Sequence, residues 1–171
     1  MKNRPLAHLA RPTNLDDVIG QAHLVGKDGV IRKMVESNHF TSLILYGPPG
    51  TGKTTIASII GDAFGLSHFT FNASTDNKAQ LKEIISQAKH YKASLIVDEI
   101  HRMKKDIQDF LLPYVEKGDI IMIGLTTNNP YHSVNPAIRS RVHIYKLNPA
   151  KESEIIAYLK HLETKYKTDL T

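Results

Sequence analysis

The sequence predicts an α/β fold, a parallel β-sheet with helices packed on both faces. Three observations carry this. Short, continuously apolar runs recur along the 171 residues, without the alternation that marks a strand with one wet face. Segments with apolar residues at helical spacing separate these runs, the pattern of βαβ units. One run leads straight into the glycine-rich octapeptide GPPGTGKT (47–54), which opens a helical segment.

The elements follow in order. Residues 1–27 are irregular and turn-rich and read as an N-terminal linker. Gly29–Asn38 reads as a short helix with Val30, Ile31, Met34 and Val35 on one face. Ser42–Tyr46 (SLILY) is the first buried strand, and His68–Phe71, Ala93–Val97, Asp119–Leu125 and Val142–Tyr145 supply four more, making five. Helical patterns occupy Lys53–Phe64, Lys78–Tyr91 and Met103–Leu112 between them. Pro149 interrupts, and Glu152–Lys165 begins a new amphipathic helix with Ile155, Ile156, Leu159 and Leu162 at helical spacing. That helix has nothing to close on within the chain. The expected organisation is therefore a core over 1–148 and the truncated start of a second, helical domain over 149–171.

Composition excludes several functions. With no cysteine, neither a disulfide framework nor a thiolate metal site can form, and the nine histidines show no HExxH-type spacing. The opening MKNRPLAHLARPTNLDD is broken by Pro5, His8 and Arg11 and lacks a signal peptide's apolar core. No apolar run reaches the roughly 18 residues that span a bilayer. The expected compartment is the cytoplasm, with no membrane partner. A net charge of +5 is a mild pull toward polyanions or simply a solvated basic surface.

The octapeptide matches G-x-x-x-x-G-K-[ST] in the required strand-to-helix context. Gly47, Gly50 and Gly52 allow the backbone to wrap phosphate oxygens, with Pro48, Pro49, Thr51 and Thr55 completing the binding stretch. The exposed amides and the helix N-terminus supply partial positive charge. Lys53 bridges the β and γ phosphates of ATP, and the Thr54 hydroxyl ligates Mg2+. Leu95–Glu99 (LIVDE) delivers two carboxylates to the carboxyl end of a strand, the edge where open parallel sheets bind ligands. Asp98 would hold Mg2+, mostly through water, and Glu99 would act as general base on the attacking water.

TTNNP (126–130) follows the fourth strand. Asn129, or failing it Thr127, could hydrogen-bond the γ-phosphate or the lytic water, or the segment could be turn chemistry alone. AIRSR (137–141) offers Arg141 as an arginine presented to a neighbouring subunit's γ-phosphate, with Arg139 as a surface or interface residue. A surface salt bridge is the alternative for either. HRMKK (101–105) is a basic cluster whose plainest reading is a solvated helix face.

Taken together, RPTNLDDVIGQ (11–21), GPPGTGKTT (47–55), VDEIHR (97–102) and RSR (139–141) resemble the AAA+ ATPases, a branch of the P-loop NTPases. Residues 97–147 resemble most the replication-associated recombination protein A family and its eukaryotic Werner-helicase-interacting relatives. Residues 72–80 are instead similar to clamp-loader sequences, and Asn128 stands where the family usually has Glu. The resemblance implies Val18 and Ile19 beside the adenine, Asn129 as first sensor and Arg141 as the finger acting in trans. Asn72 would restrain Glu99 until DNA is bound, or merely cap a strand end. The resemblance also implies that residues 149–171 begin a helical lid. It implies an ATPase that assembles into homo-oligomers and acts on forked or single-strand-ended DNA at stalled replication forks. Single-strand-binding protein and replisome components would be its partners in the nucleoid. A Holliday-junction branch-migration motor and a clamp-loader-like, nucleotide-switched scaffold are the alternatives. The former family resembles TTRAG where this chain has TTNNPYHSVNP, and inactive scaffolds typically lose the lysine, the acidic pair or the finger, all present here.

Overall fold

The computed structural model describes residues 14–65, 67–88 and 92–167. Residues 1–13 of the expected linker, including Arg11 and Pro12 of the family motif, lie outside them. So do 89–91 of the expected helix 78–91 and the last four residues of the chain.

Five strands form one all-parallel sheet in the order β2-β3-β4-β1-β5. They are β1 (Leu43–Tyr46), β2 (Ser67–Asn72), β3 (Ala93–Asp98), β4 (Ile120–Thr126) and β5 (His143–Lys146). The helices are α1 (Ala22–Val25), α2 (Val30–Ser37), α3 (Lys53–Phe64), α4 (Lys78–Ala88), α5 (Lys105–Lys117), α6 (Pro130–Ser133), α7 (Pro136–Arg139) and α8 (Glu152–Tyr166). The expected strands are present, each displaced by no more than a residue or two.

Alternate side chains of the central strands enter opposite layers, which is why these strands are apolar throughout. Leu43 and Leu45 of β1, Ile96 of β3 and Ile121, Ile123 and Leu125 of β4 pack with Ile31, Met34, Ile56 and Ile60. Those partners come from α2 and α3. Ile44, Leu95, Val97, Ile120 and Met122 face the other way, against Leu81 and Ile85 of α4 and Ile107, Leu111 and Val115 of α5. Each of these fully buried aliphatic side chains contributes roughly 1.5–3 kcal/mol before chain entropy is counted. β2 and β5 are the edges and are correspondingly less buried.

The end of one helix is revised. Helix α5 runs past the expected end at Leu112 and carries Pro113 in its interior. Proline costs the helix the amide bond to the carbonyl four residues back. Here Pro113 and Asp109 are both exposed, on the side of the helix where solvent can reach the freed carbonyl, and burial of Val115 holds the last turn on the core. Gly118, at φ +78°, then ends the helix. Helix α8 forms as expected, and its apolar stripe, expected to have nothing to close on within the chain, stays largely exposed. Ile155, Ile156 and Leu159 are 43–57% exposed, and α8 adds no buried residue to either core. Among the described residues, no helix is long and apolar enough to cross a membrane.

Gly61 lies where α3 crosses β2 and β3. A Cβ there would sit 2.5 Å from His68 Nδ1 and 2.9 Å from Ser94 Oγ, two atoms that share a 2.9 Å hydrogen bond. Gly61→Ala should therefore destabilise the fold by about 1–3 kcal/mol through overpacking. Helix propensity alone would predict a gain of about 1 kcal/mol. Urea midpoints of the two proteins decide between these signs.

Candidate nucleotide-binding site

The phosphate loop connects β1 to α3. Its position is set at both ends. The Gly47 amide donates to Thr126 O at 3.3 Å, and a Cβ on Gly47 would lie 2.5 Å from Leu147 O, so only glycine fits between β4 and the chain leaving β5. Gly50 and Gly52 are different. Both have positive φ, +78° and +93°, and a Cβ on either would meet nothing within 4 Å. They are required by backbone conformation, and the space in front of them is open. Among the described residues, the amides of Gly50 through Thr54 donate to no protein acceptor. Unsatisfied donors at the start of a twelve-residue helix are suited to a phosphate chain.

The Lys53 ammonium meanwhile folds back onto the loop, donating to Gly47 O at 2.6 Å and Pro48 O at 2.9 Å. Burial holds its pKa below the usual lysine value, and the Asp98 carboxylate opposes that shift. The structure thus brings Lys53 and Asp98 into one electrostatic neighbourhood. Thr51 is buried and donates its hydroxyl to Pro48 O, stiffening the loop, whereas Thr54 is exposed at the helix start. Pro48 and Pro49 are exposed and Thr55 is half-buried.

β3 carries Asp98 and Glu99 to the same sheet edge, both exposed. Glu99 has φ +51°, a left-handed conformation that a residue with a Cβ adopts only at a cost. The Glu99 amide donates to Asp98 Oδ1 at 2.9 Å. Ile100, directly after this kink, is buried over Gly124, where a Cβ would collide with it at 2.5 Å. The kink therefore anchors an isoleucine in the core and leaves the carboxylate at the surface. Asn72 is the register partner of Asp98, but its side chain accepts from the Ser74 amide at 2.9 Å and caps a turn. The strand-end reading of Asn72 is the one its bonding supports.

β4 ends beside β1 and hands over to the expected sensor segment. Thr127 and Asn129 are both exposed there. The Asn129 side chain accepts from the Tyr131 amide at 3.0 Å and caps α6. Two residues that sequence reasoning passed over link this segment to the acidic strand end. The buried Thr126 hydroxyl shares a 2.8 Å hydrogen bond with His101 Nδ1 and accepts the Asn128 amide at 3.0 Å. The signal was a threonine closing an otherwise apolar run. His101 is therefore not part of a solvated charge cluster, as HRMKK had suggested.

The remaining expected residues lie elsewhere. Val18 and Ile19 are half-buried and line a cavity of about 360 Å³ between the N-terminal segment and α8. Arg141 lies at the opposite, amino edge of the sheet, two residues before His143, which pairs with Leu43 at the start of β1. It borders a cavity of about 440 Å³ with Ser42, Lys92 and Ile120, and its guanidinium pairs with Glu116. About 13 Å of strand separates the two edges. Arg139, expected at a surface or interface, is half-exposed and donates to Val134 O at 3.0 Å, bracing the α6–α7 turn.

The Glu99 backbone gives a test of strain at this site. Glu99→Gly should raise stability by up to about 1 kcal/mol, because glycine adopts this conformation freely and returns only part of the gain as unfolded-chain entropy. A lower melting temperature for the glycine variant would show that the conformation is not strained.

Comparison with known proteins agrees with this fold. Residues 43–149, which hold all five strands, match the family model described as ATPase family associated with various cellular activities (AAA). The chain is 50% identical over 147 residues to a Bacillus subtilis replication-associated recombination protein A, covering 85% of this chain and 35% of that protein. It is 38% identical over 161 residues to the Dictyostelium discoideum ATPase WRNIP1, covering 91% of this chain and 18% of that one. The chain thus spans about a third of the bacterial relative. The Thermotoga maritima RuvB Holliday junction branch migration motor superposes with a TM-score of 0.79 at 24% identity, over 92% of this chain and 55% of that one. This last likeness speaks for the fold alone. With the family model spanning the whole sheet and a bacterial relative 50% identical over 147 aligned residues, the chain belongs to the AAA family of ATPases.

Proposed function

We propose that this chain binds ATP with Mg2+ at the Gly47–Thr55 loop and hydrolyses it at a site completed by a neighbouring copy. We further propose that the protein does so while acting on DNA at stalled replication forks. The observation that carries the reading is the open, glycine-formed cradle of unsatisfied amides with Lys53 and Asp98 beside it.

The roles follow from chemistry. On phosphate arrival the Lys53 ammonium exchanges two neutral carbonyl acceptors for anionic oxygens, a stronger charge-assisted bond. Thr54 and Asp98 are the residues that would hold Mg2+, which when bound neutralises phosphate charge. Glu99, exposed on its kink, orients and deprotonates the attacking water. Asn129 or Thr127, at the end of the neighbouring strand, contacts the γ-phosphate or that water, and Val18 and Ile19 border the base. Arg141 lies on the far edge from its own loop, which supports action on a second subunit and hence a homo-oligomer. The DNA assignment rests on similarity to the recombination proteins, whose length this chain only partly covers.

Lys53→Ala should abolish ATP binding, measured with a fluorescent analogue. Glu99→Gln should keep binding and lower turnover by about 10²–10⁴-fold, because the base is lost and the cradle kept. Normal turnover in Glu99→Gln would sink that assignment.

Arg141→Ala should also bind ATP and fail to turn it over. Mixing it with Lys53→Ala should restore part of the activity, since each supplies what the other lacks. No restoration would argue against action in trans. Forked or single-strand-ended DNA should stimulate hydrolysis. Stimulation only by four-way junctions would favour the branch-migration reading, and no response to any DNA would point to a protein substrate.

A further inference from the structure

We propose that Gln21 is a positioning residue that couples the phosphate loop to the hinge carrying α8. The inference rests on the nucleotide-binding reading of the loop.

Gln21 is 1% exposed, an unusual place for a glutamine, and every polar atom of its side chain is used. Its Nε2 donates to Thr51 O in the phosphate loop at 3.2 Å and to Asn148 O at 2.7 Å. Its Oε1 accepts the Asn148 amide at 3.0 Å. One side chain therefore joins the N-terminal segment, the loop and the stretch between β5 and α8. Both bonds to Asn148 span 127 positions of sequence, so no local rule requires them.

The surroundings reinforce the same junction. Gly47, at the start of the loop, is packed against Leu147 O. Gly20, at φ +77°, comes so close to the start of α8 that a Cβ would lie 3.0 Å from Ala150 Cα and 3.4 Å from Glu154 Oε2. His23 Nε2 bonds Lys146 O at 2.8 Å. Beyond this, α8 meets the N-terminal segment at its surface, where His161 Nε2 lies 3.7 Å from Asp17 Oδ1. It lines a cavity with residues 16–20 through Glu154, Ala157, Tyr158 and His161 and adds no buried side chain. A rigid connection at Gln21 and a loose helix beyond it are the two parts a hinge needs.

The loop has a built-in displacement to transmit. Lys53 must leave Gly47 O and Pro48 O to engage phosphate, and Thr51 is bonded to that same Pro48 O. A shift of the Thr51 carbonyl is felt at Gln21 and, through the other half of the same amide, at Asn148. Burial makes the link stiff, because leaving any of these groups unpaired costs about 1–3 kcal/mol.

The test uses hydrogen–deuterium exchange on the chain with and without Mg-ATP. Alongside the unaltered chain it uses two variants, Gln21→Met, which keeps length and loses the bonds, and Gln21→Asn, which keeps polarity and is too short. In the unaltered chain, ATP should slow exchange at 50–54 and also at 149–158, the latter by about fivefold or more, the lower end of ordinary site-to-site coupling. In whichever variants remain folded by melting temperature, slowing at 50–54 should persist with ATP affinity within about threefold, and the response at 149–158 should be lost. A merely structural glutamine would change basal exchange and stability and leave the ATP response at 149–158 intact, which overturns the proposal. An unaltered chain that responds at 50–54 but not at 149–158 also overturns it. No response at 50–54 in the unaltered chain would instead remove the nucleotide-binding reading beneath it.

Discussion

The β1–β4 ladder is the constraint on which the rest of the molecule depends. β1 has four residues and β4 seven, almost all buried, and their register pairs Tyr46 with Thr126 at the carboxyl edge. Gly47 and Thr127 therefore leave the sheet side by side. β3 pairs with the other side of β4 and delivers Asp98 and Glu99 to the same edge. Loop, acidic pair and sensor segment are distant in sequence and become neighbours because parallel strands must all point the same way. A one-residue slip would turn every buried side chain to the other layer, so the two cores on either face lock the edge in place.

The carboxyl edge is built from groups that are stiffly held and incompletely satisfied. Unpaired amides line the loop, a lysine is partly desolvated over its own carbonyls, and a glutamate is held in a left-handed conformation. Each is a departure from what folding alone would favour, and the amides and the lysine are groups that an anion would satisfy. The opposite edge is quieter. Arg141 rests on Glu116, a solvent-exposed pairing of small energetic worth that a stronger anionic partner can displace. Separating the two edges is what the proposed completion of the site by a second copy rests on.

Stability is unevenly distributed, and that unevenness bears on movement. The sheet and its two layers hold the large buried side chains, whereas α8 is attached by Gln21, two close-packed glycines and a cavity-lined face. Regions with few buried apolar contacts open at lower free energy than the core. The junction that joins these regimes includes a buried amide, that of Gln21, bonded to both the loop and Asn148.

The sequence by itself determined the fold class, the number and approximate limits of the strands and the phosphate loop. It also marked Asp98 and Glu99 at a strand end. These are legible because they depend on local chemistry: apolar runs, helical spacing and glycines where φ must be positive. It misjudged the end of α5, because whether Pro113 is tolerated depends on which side of the helix meets water. It read 155, 156, 159 and 162 as an apolar stripe with nothing to close on within the chain, and three of those four are exposed. Only the tertiary structure decided that Arg141 lies on the far edge and that His101 bonds Thr126. Only it brought Gln21 between Thr51 and Asn148. Those facts arise from pairings across 25 to 127 positions of sequence, and no local pattern encodes which distant carbonyl a buried amide will meet.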